Sequence, residues 1–131
     1  MPAYGNFILD KGAKPASAQV FTKFRAVKAT ANADEVTPVA ASTDIVDGVA
    51  QFDVTVAEAG KGKRVSVRTQ GITEWECGAA VTRGQRVMAD TVGRCIAATG
   101  TGNRACGIAR QTSTASGQRI AVMLDLPGEV L

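Results

Sequence analysis

The sequence contains no histidine, which removes the most common general base and one of the usual metal ligands. Its three cysteines form no C-x-x-C pair, so the usual zinc-binding and thiol-redox patterns are missing as well. No serine stands in a G-x-S-x-G motif, and a serine triad would lack its usual base. These absences predict a chain that is not an enzyme and that binds neither a metal nor a cofactor.

Aromatic residues make up only 5% of the chain, with one tryptophan and one tyrosine. A carbohydrate-binding module needs exposed aromatic rings to stack on sugars, so that function is a weak alternative. No run of lysine and arginine interleaved with aromatics is present, which argues against nucleic-acid binding. The core must consist of valine, isoleucine, alanine and leucine, and we expect such a thin core to gain stability from assembly.

The sequence also lacks a long hydrophobic run. The apolar stretch Phe7–Leu9 is too short for a signal peptide, and no segment is long enough to cross a membrane. We therefore expect folding in a reducing cytoplasm, with Cys77, Cys95 and Cys106 as small buried thiols. A disulfide between two of the three cysteines is the alternative that the sequence leaves open.

Charge is unevenly distributed along the chain, although the net charge is only +3. Residues 1–60 hold five basic and seven acidic residues, whereas residues 61–131 hold ten basic and five acidic ones. Such polarity suits pairing between copies or contact with an acidic partner surface. An ordinary solvated surface without a partner is the simpler interpretation.

Alternation of apolar and polar residues predicts an all-β fold. The inward positions are predicted to be Phe52, Val54, Val56, Val65, Val67, Thr73, Trp75, Cys77, Ile120, Val122, Leu124 and Leu126. Shorter strand candidates lie at Val20–Ala29, Val36–Ala40, Arg86–Ala89, Arg94–Ala97 and Ala105–Arg110. Only Gly78–Gly84 and the stretch around Ala57–Ala59 could hold a turn of helix. Many short strands joined by glycine turns predict a sandwich or a small β-barrel.

Residues 1–19 show neither strand nor helix periodicity and contain two prolines and two glycines. We therefore predict an extended N-terminal arm over residues 1–19 and a barrel-like domain over residues 20–131. The large apolar residues of the arm are Tyr4, Phe7, Ile8 and Leu9. They either fold back on their own domain or dock on a neighbouring chain, and the sequence does not decide between the two.

A faint internal repeat relates two parts of the chain. Gly48-Val49-Ala50 followed by Gly62–Val67 resembles Gly107-Ile108-Ala109 followed by Gly117–Val122. The shared frame, G-[VI]-A and then G-x-R-[VI]-x-V, predicts a strand, a loop closed at glycine and a return strand in each unit. Two such units around a shared core would make one barrel-like sheet.

The segment from Val56 to Leu126 carries an ordered series of features. A G-x-x-V-x-V strand leads to a glycine and an aromatic, then to A-x-x-x-G-x-x-V, a loop with V-G-R, Gly-Ile-Ala and a closing G-x-x-I-x-V. This order resembles the small capsid decoration, or cement, proteins of tailed bacteriophages. The resemblance implies a β-barrel-like or β-tulip-like domain that binds the outer surface of the capsid, as a homotrimer, and stabilises the expanded shell. Its partner would be the major capsid protein, and its place the virion, after assembly in the host cytoplasm.

In similar proteins an N-terminal arm completes the contact with the capsid or with the adjacent protomer. On this resemblance Tyr4, Phe7, Ile8 and Leu9 would be contact residues. Removing residues 1–19 is then expected to leave a folded domain that attaches weakly to the capsid. The alternatives are another β-barrel component of the virion, such as a tail-tube, head-completion or fibre-attachment protein.

Overall fold

Ten β-strands and one short helix build the part of the chain described by the structure, a computed structural model covering residues 8–131. The strands are β1 (Leu9–Pro15), β2 (Ala26–Ala29), β3 (Glu35–Pro38), β4 (Val46–Ala50), β5 (Val65–Gln70), β6 (Ile72–Glu76), β7 (Arg86–Ala89), β8 (Cys95–Ala97), β9 (Arg104–Ala109) and β10 (Arg119–Val130). The helix α1 spans Val56–Gly60, within one of the two stretches that the sequence allowed for a helical turn. The predicted all-β fold class is confirmed.

The strands form two five-stranded sheets. The first is a closed barrel in the order β1-β3-β2-β4-β5, and the second has the order β6-β10-β9-β7-β8. The edge strands of the second sheet come together at one parallel bridge, between Cys77 and Cys95. The barrel predicted from the sequence is therefore present in the first half of the chain, and the second half approaches the same closure.

The alternation read from the sequence holds in the longer strands. Val65 and Val67 in β5 are buried, and so are Thr73 and Trp75 in β6. Side chains of successive strand residues point to opposite faces, so a shared phase places all four in the interior. Between the two strands Gly71 adopts a φ of 95°, which turns the chain and resets the alternation at Ile72.

The prediction of an arm over residues 1–19 differs from the structure in the described part of that segment. Leu9–Pro15 forms β1, which pairs with β5 along Leu9–Ala13 and with β3 at Lys14 and Pro15. Ala13 is fully buried in the barrel. The segment shows no alternation because only one of its seven residues is buried. Residues 1–7 lie outside the described part of the chain.

Phe52 and Val56 were predicted to face inward, and this prediction is wrong. Phe52 is 66% exposed and Val56 is 48% exposed, whereas Val54 between them is buried. The side chain of Asp53 accepts a hydrogen bond from the Lys23 amide at 2.8 Å, and this contact bends the segment away from a strand. Thr55 then caps α1: its hydroxyl accepts from the Glu58 amide, and the Glu58 carboxylate accepts from the Thr55 amide.

Two shorter predictions also needed correction. The candidate strand Val20–Ala29 is ordered as a strand only over β2, because the residues before Ala26 make isolated contacts such as the bridge between Phe21 and Val54. The possible helical turn at Gly78–Gly84 is absent, since Val81 in that stretch bridges to Ser113 instead.

The two sheets share one topology. Read from β3, the barrel order is β3-β2-β4-β5-β1, and read from β8 the second sheet is β8-β7-β9-β10-β6. Each strand of the second half thus takes the place of the strand five earlier in the chain. The parallel contact between β1 and β3 in the barrel corresponds to the Cys77–Cys95 bridge. The internal repeat seen in the sequence is a structural duplication.

The register of the repeated strands is the same in both halves. Ala50 lies opposite Val67 in the barrel, and Ala109 lies opposite Val122 in the second sheet. The loop contacts match as well, because the Phe24 amide donates to the Ala50 carbonyl and the Gly84 amide to the Ala109 carbonyl, at 2.7 and 2.8 Å. The predicted pairing within each unit is confirmed, but each unit builds its own sheet rather than sharing one.

The duplication accounts for the two residues other than glycine that have a positive φ among those described. Phe24 has a φ of 61° and occupies the place of Gly84 in the second half, where φ is 92°. Asp34, with a φ of 56°, stands at the place of Gly93, just before β3 as Gly93 precedes the β8 strand. These left-handed conformations favour glycine, so the backbone geometry has been kept where the side chain differs.

Each half has its own buried cluster, and the large aromatic residue sits at a different place in each. The barrel interior contains Phe21 and Ala13, whereas the equivalent positions of the second half hold Val81 and Trp75. One aromatic side chain thus fills each interior from a different strand or loop. Each half thus buries one large aromatic side chain, although the position that supplies it differs between the halves.

The two halves meet through backbone contacts as well as side chains. The Phe24 carbonyl accepts from the Glu76 amide at 2.8 Å, and the Ala26 amide donates to the Gly93 carbonyl at 2.8 Å. The indole of Trp75 donates to the same Gly93 carbonyl at 2.8 Å. The chain from Phe24 to Ala26 therefore bonds to both edges of the second sheet, and Ala26 belongs to the second core.

Replacing Gly48 or Gly107 with alanine should destabilise the protein by about 1–3 kcal/mol or more, since the neighbouring backbone leaves no room for a methyl group. A Cβ on Gly48 would lie 2.3 Å from the Arg68 carbonyl oxygen, and a Cβ on Gly107 would lie 2.4 Å from the Met123 carbonyl oxygen. Urea unfolding of Gly48→Ala and Gly107→Ala measures the loss.

Gly12→Ala is the matched control for these two variants. A Cβ there would meet only the Arg64 side chain, at an ordinary 3.7 Å, so its stability should stay near that of the parent. Equal stability of all three variants would contradict the close strand approach in both halves.

Candidate interaction surface

The acidic and cysteine side chains of the described residues do not assemble a metal site. No cluster of three or more cysteine, aspartate or glutamate residues suited to a metal occurs within residues 8–131. Glu74 and Glu76 lie on one strand, and Glu76 pairs with Arg25 at 3.0 Å. None of the helices in this part of the chain is long and apolar enough to span a membrane.

Exposed apolar side chains mark the point where the chain enters the barrel. Ile8 and Leu9, two of the four predicted contact residues, are 44% and 46% exposed. The backbone beneath them is fixed, since Leu9 pairs with Gln70 and its carbonyl accepts from the Thr69 hydroxyl at 3.0 Å. The other two, Tyr4 and Phe7, lie outside the described residues.

A groove of about 260 Å³ lies beside this entry point. Its lining residues are Ala29, Ile45, Val46, Asp47, Thr69, Gln70 and Leu126. Gln70 and Thr69 are the residues that hold Leu9, so the groove and the start of β1 share one rim. Ile45 is exposed there, directly before the buried Val46 that begins β4, and two adjacent apolar residues do not show by alternation which of them faces outward.

A second groove of about 340 Å³ lies at the junction of the two halves. Val20 and Val92 contribute exposed apolar side chains to it, and Arg25 contributes charge. Phe52 projects from the surface in the loop before α1. The sequence predicts a core position for Phe52 and a strand at Val20–Ala29, and it carries no signal for Val92, so the exposure of these three side chains was not predicted.

The surface of the second half carries several arginines outside the ion pairs. Among the described residues, the ion pairs do not include Arg83, Arg104, Arg110 or Arg119. Arg119 instead lies over the ring of Phe24, 4.8 Å from its centroid. In the first half Asp10 pairs with Arg68 at 2.8 Å and Asp44 with Lys28 at 3.1 Å, whereas the ion pairs of the described residues do not include Lys14, Lys23, Lys61 or Arg64. Both halves thus present basic side chains outside the ion pairs, and in the second half all of these are arginines.

The position of Trp75 bears on the alternative that the protein is a carbohydrate-binding module. Its side chain is 0% exposed, and its indole N–H is used in the interior by Gly93. The tryptophan is therefore not available to stack on a sugar ring at the surface.

The fold is similar to that of a known virion protein. The structure of the head fibre gp8.5 N base in bacteriophage phi29 superposes with a TM-score of 0.68, at 18% sequence identity. The similarity covers 95% of this chain and 99% of that one. At this level of identity the likeness is one of fold. No curated protein matches the sequence.

The sequence itself matches a family model. The model is that of the phage cement protein, and the match runs over residues 45–124, from the start of β4 to the middle of β10. It includes both G-[VI]-A strands and both return strands of the internal repeat. The resemblance inferred from the sequence is confirmed. Because the match covers more than half of the chain, the protein belongs to the phage cement protein family, a family of virion structural proteins.

Proposed function

We propose that the protein binds the outer surface of a phage capsid as a homotrimer and stabilises the expanded shell. Membership of the phage cement protein family is the observation that carries this proposal. The surface supports it, because exposed apolar side chains and unpaired arginines lie outside two well-filled cores. A trimer would attach at several points, and each contact after the first is intramolecular, so weak contacts would add up to firm attachment.

The start of β1 is the proposed contact with the major capsid protein or the adjacent protomer. Ile8 and Leu9 offer apolar surface on a backbone held by Gln70 and Thr69, so binding costs little conformational entropy. Tyr4 and Phe7 precede this anchored point by no more than five residues, an extended reach of roughly 17 Å. We therefore keep all four as proposed contact residues.

The arginines of the second half are a proposed second element of attachment. Arg83, Arg104 and Arg110 form no ion pair within residues 8–131, so they can meet carboxylates of a partner. Charges of this kind speed association and fix orientation more than they add affinity. They favour an acidic partner surface over nucleic acid, because no aromatic residues are interleaved with them in the sequence.

The double variant Ile8→Ser/Leu9→Ser should reduce occupancy on expanded capsids at least tenfold, since two apolar side chains would leave the interface while the barrel is unchanged. Purified capsids that lack the protein are mixed with the parent or the variant, and the bound amount is measured on gels after sedimentation. Light scattering of the free proteins gives the oligomer mass, expected to be three times 13.5 kDa.

Val130→Ser serves as the control, because Val130 is also exposed but lies at the end of β10 rather than at the start of β1. Its occupancy should match the parent. Full occupancy of the double variant would refute the contact at the start of β1, and a hexameric mass would favour a tail component over a trimeric cement protein.

A second candidate is the base of a fibre that stands on the shell. The likeness to the head fibre base, at a TM-score of 0.68 over 95% of the chain, favours it over the tail alternatives. Electron microscopy of decorated capsids separates the two functions, because a fibre base would carry a fibre that projects from the shell, whereas a cement protein would lie on the shell surface.

A further inference from the structure

Two of the three buried thiols face each other where the second sheet closes. Cys77 follows β6 and Cys95 begins β8, and the two residues form a parallel bridge between the edges of that sheet. Both side chains are 0% exposed and belong to the same core cluster, so they point to the same face. In the barrel the equivalent seam, between β1 and β3, is held by two paired positions rather than one.

The geometry of the bridge suits a covalent bond between the two sulfurs. Neighbouring strands lie about 4.8 Å apart, and disulfides join residues whose Cα atoms are roughly 4.4–6.8 Å apart. A hydrogen bond from the Cys95 thiol lowers the pKa of Cys77 to about 7, and the Ser113 hydroxyl adds to this effect. The same contact raises the pKa of Cys95. The bridge thus places both side chains in one buried cluster, and Cys77 is the one that reacts as a thiolate.

Cys106 is excluded from this pair by its strand. It lies in β9, which is separated from β6 by β10 and from β8 by β7. Two strand spacings amount to roughly 9–10 Å, which is beyond the reach of a disulfide. Burial also raises the pKa of Cys106 to about 11, so this thiol stays protonated near neutral pH.

We propose that Cys77 and Cys95 are a disulfide-forming pair that locks the second sheet as a closed barrel when the protein meets a low-molecular-weight disulfide. The Cys77 thiolate attacks one sulfur of that disulfide, breaks its S–S bond and releases one small thiolate. The Cys95 sulfur then attacks the mixed disulfide at Cys77, loses its proton and releases the second small thiol. Two cysteines are oxidised, and one small disulfide is reduced to two thiols.

The neighbourhood of Cys77 shows how the reagent would enter. The Cys77 amide and carbonyl bond to Gln118 and Gly117, which end an exposed turn over residues 114–118. Opening of this turn would uncover Cys77 without unfolding the cores, since such exposed segments open most readily. We expect the exchange to take minutes to hours, as is usual for uncatalysed disulfide reactions.

The test is to incubate the folded full-length chain with an excess of oxidised glutathione and to count free thiols over time. One thiol per chain should remain, and peptide mapping should place the bond between Cys77 and Cys95. The oxidised protein should melt about 10 °C higher than the reduced protein, and a reductant should reverse the shift. Cys106→Ser should behave like the parent, whereas Cys95→Ser should lose the shift.

The measurements on the unsubstituted protein decide the proposal even if a cysteine variant fails to fold. Three free thiols after prolonged exposure, a bond to Cys106, or an oxidised form that melts no higher than the reduced form would each overturn it. The proposal is independent of capsid binding, because every readout is taken on the free protein.

Discussion

Deleting residues 1–19 should abolish the cooperative unfolding of the first barrel, whereas deleting residues 2–7 should leave the fold intact. The larger deletion removes β1, which pairs with β5 on one side and with β3 on the other. It also removes Ala13 from the core and the partner of Arg68, whose guanidinium bonds Asp10 at 2.8 and 3.2 Å. Without β1 the barrel would expose the edges of two strands, which invites aggregation.

Circular dichroism and urea titration of the two deletions give the comparison. The short deletion should unfold with the midpoint of the parent, and the long one should lose the transition or be recovered as aggregate. A protein lacking residues 1–19 that unfolds as cooperatively as the short deletion would show that β1 is dispensable. Tests of capsid attachment should therefore use the short deletion, because weak attachment of the long one could result from unfolding rather than from a lost contact.

Replacing Trp75 with alanine should cost about 3–5 kcal/mol of unfolding free energy. The side chain is 0% exposed, and its indole N–H bonds the Gly93 carbonyl that also receives the Ala26 amide. The substitution thus opens a cavity in the second core and loosens the junction with the barrel. Urea unfolding measures the loss, and Trp75→Phe should fall between the parent and the alanine variant because it restores volume without the hydrogen bond.

Phe52→Ala is the control, because Phe52 is an aromatic residue that lies on the surface rather than in a core. Phe52 is 66% exposed, so its removal should change stability by no more than about 0.5 kcal/mol. If Phe52→Ala proved as costly as Trp75→Ala, Phe52 would have to be buried in an assembly of several copies, and the concentration dependence of unfolding would reveal it.

The longer strands of the second half could be predicted from the sequence because one face of each is buried. Trp75 and Ile120 follow an alternation that places them inside, and the structure pairs them across β6 and β10. β1 could not be predicted, since its single buried residue is Ala13 and its partners lie some twenty to sixty positions further along the chain. Long-range pairing, rather than local pattern, makes this segment a strand.

The duplication was only partly visible in the sequence for a physical reason. The repeat is plain where backbones approach closely, at Gly48 and Gly107, because only glycine fits there. The repeat cannot be recognised where core packing determines the residue type, since Trp75 in the second half is the equivalent of Ala13 in the first. The candidate surface was predictable at Ile8 and Leu9, which lie on a continuous apolar run, but not at Ile45, because its neighbour Val46 is also apolar and the sequence does not show which of the two is exposed.

The unequal closure of the two halves has a consequence for how units of this kind can be joined. The backbone from Phe24 to Ala26 forms hydrogen bonds with Glu76 and Gly93, at the two edges of the second sheet. The first unit therefore packs against the open side of the second unit, which is a head-to-tail contact. Head-to-tail contacts propagate unless something ends the series. The first barrel offers no such opening, because β1 and β3 are paired directly. The first barrel therefore provides no site at which a further unit of the same kind could dock in this way.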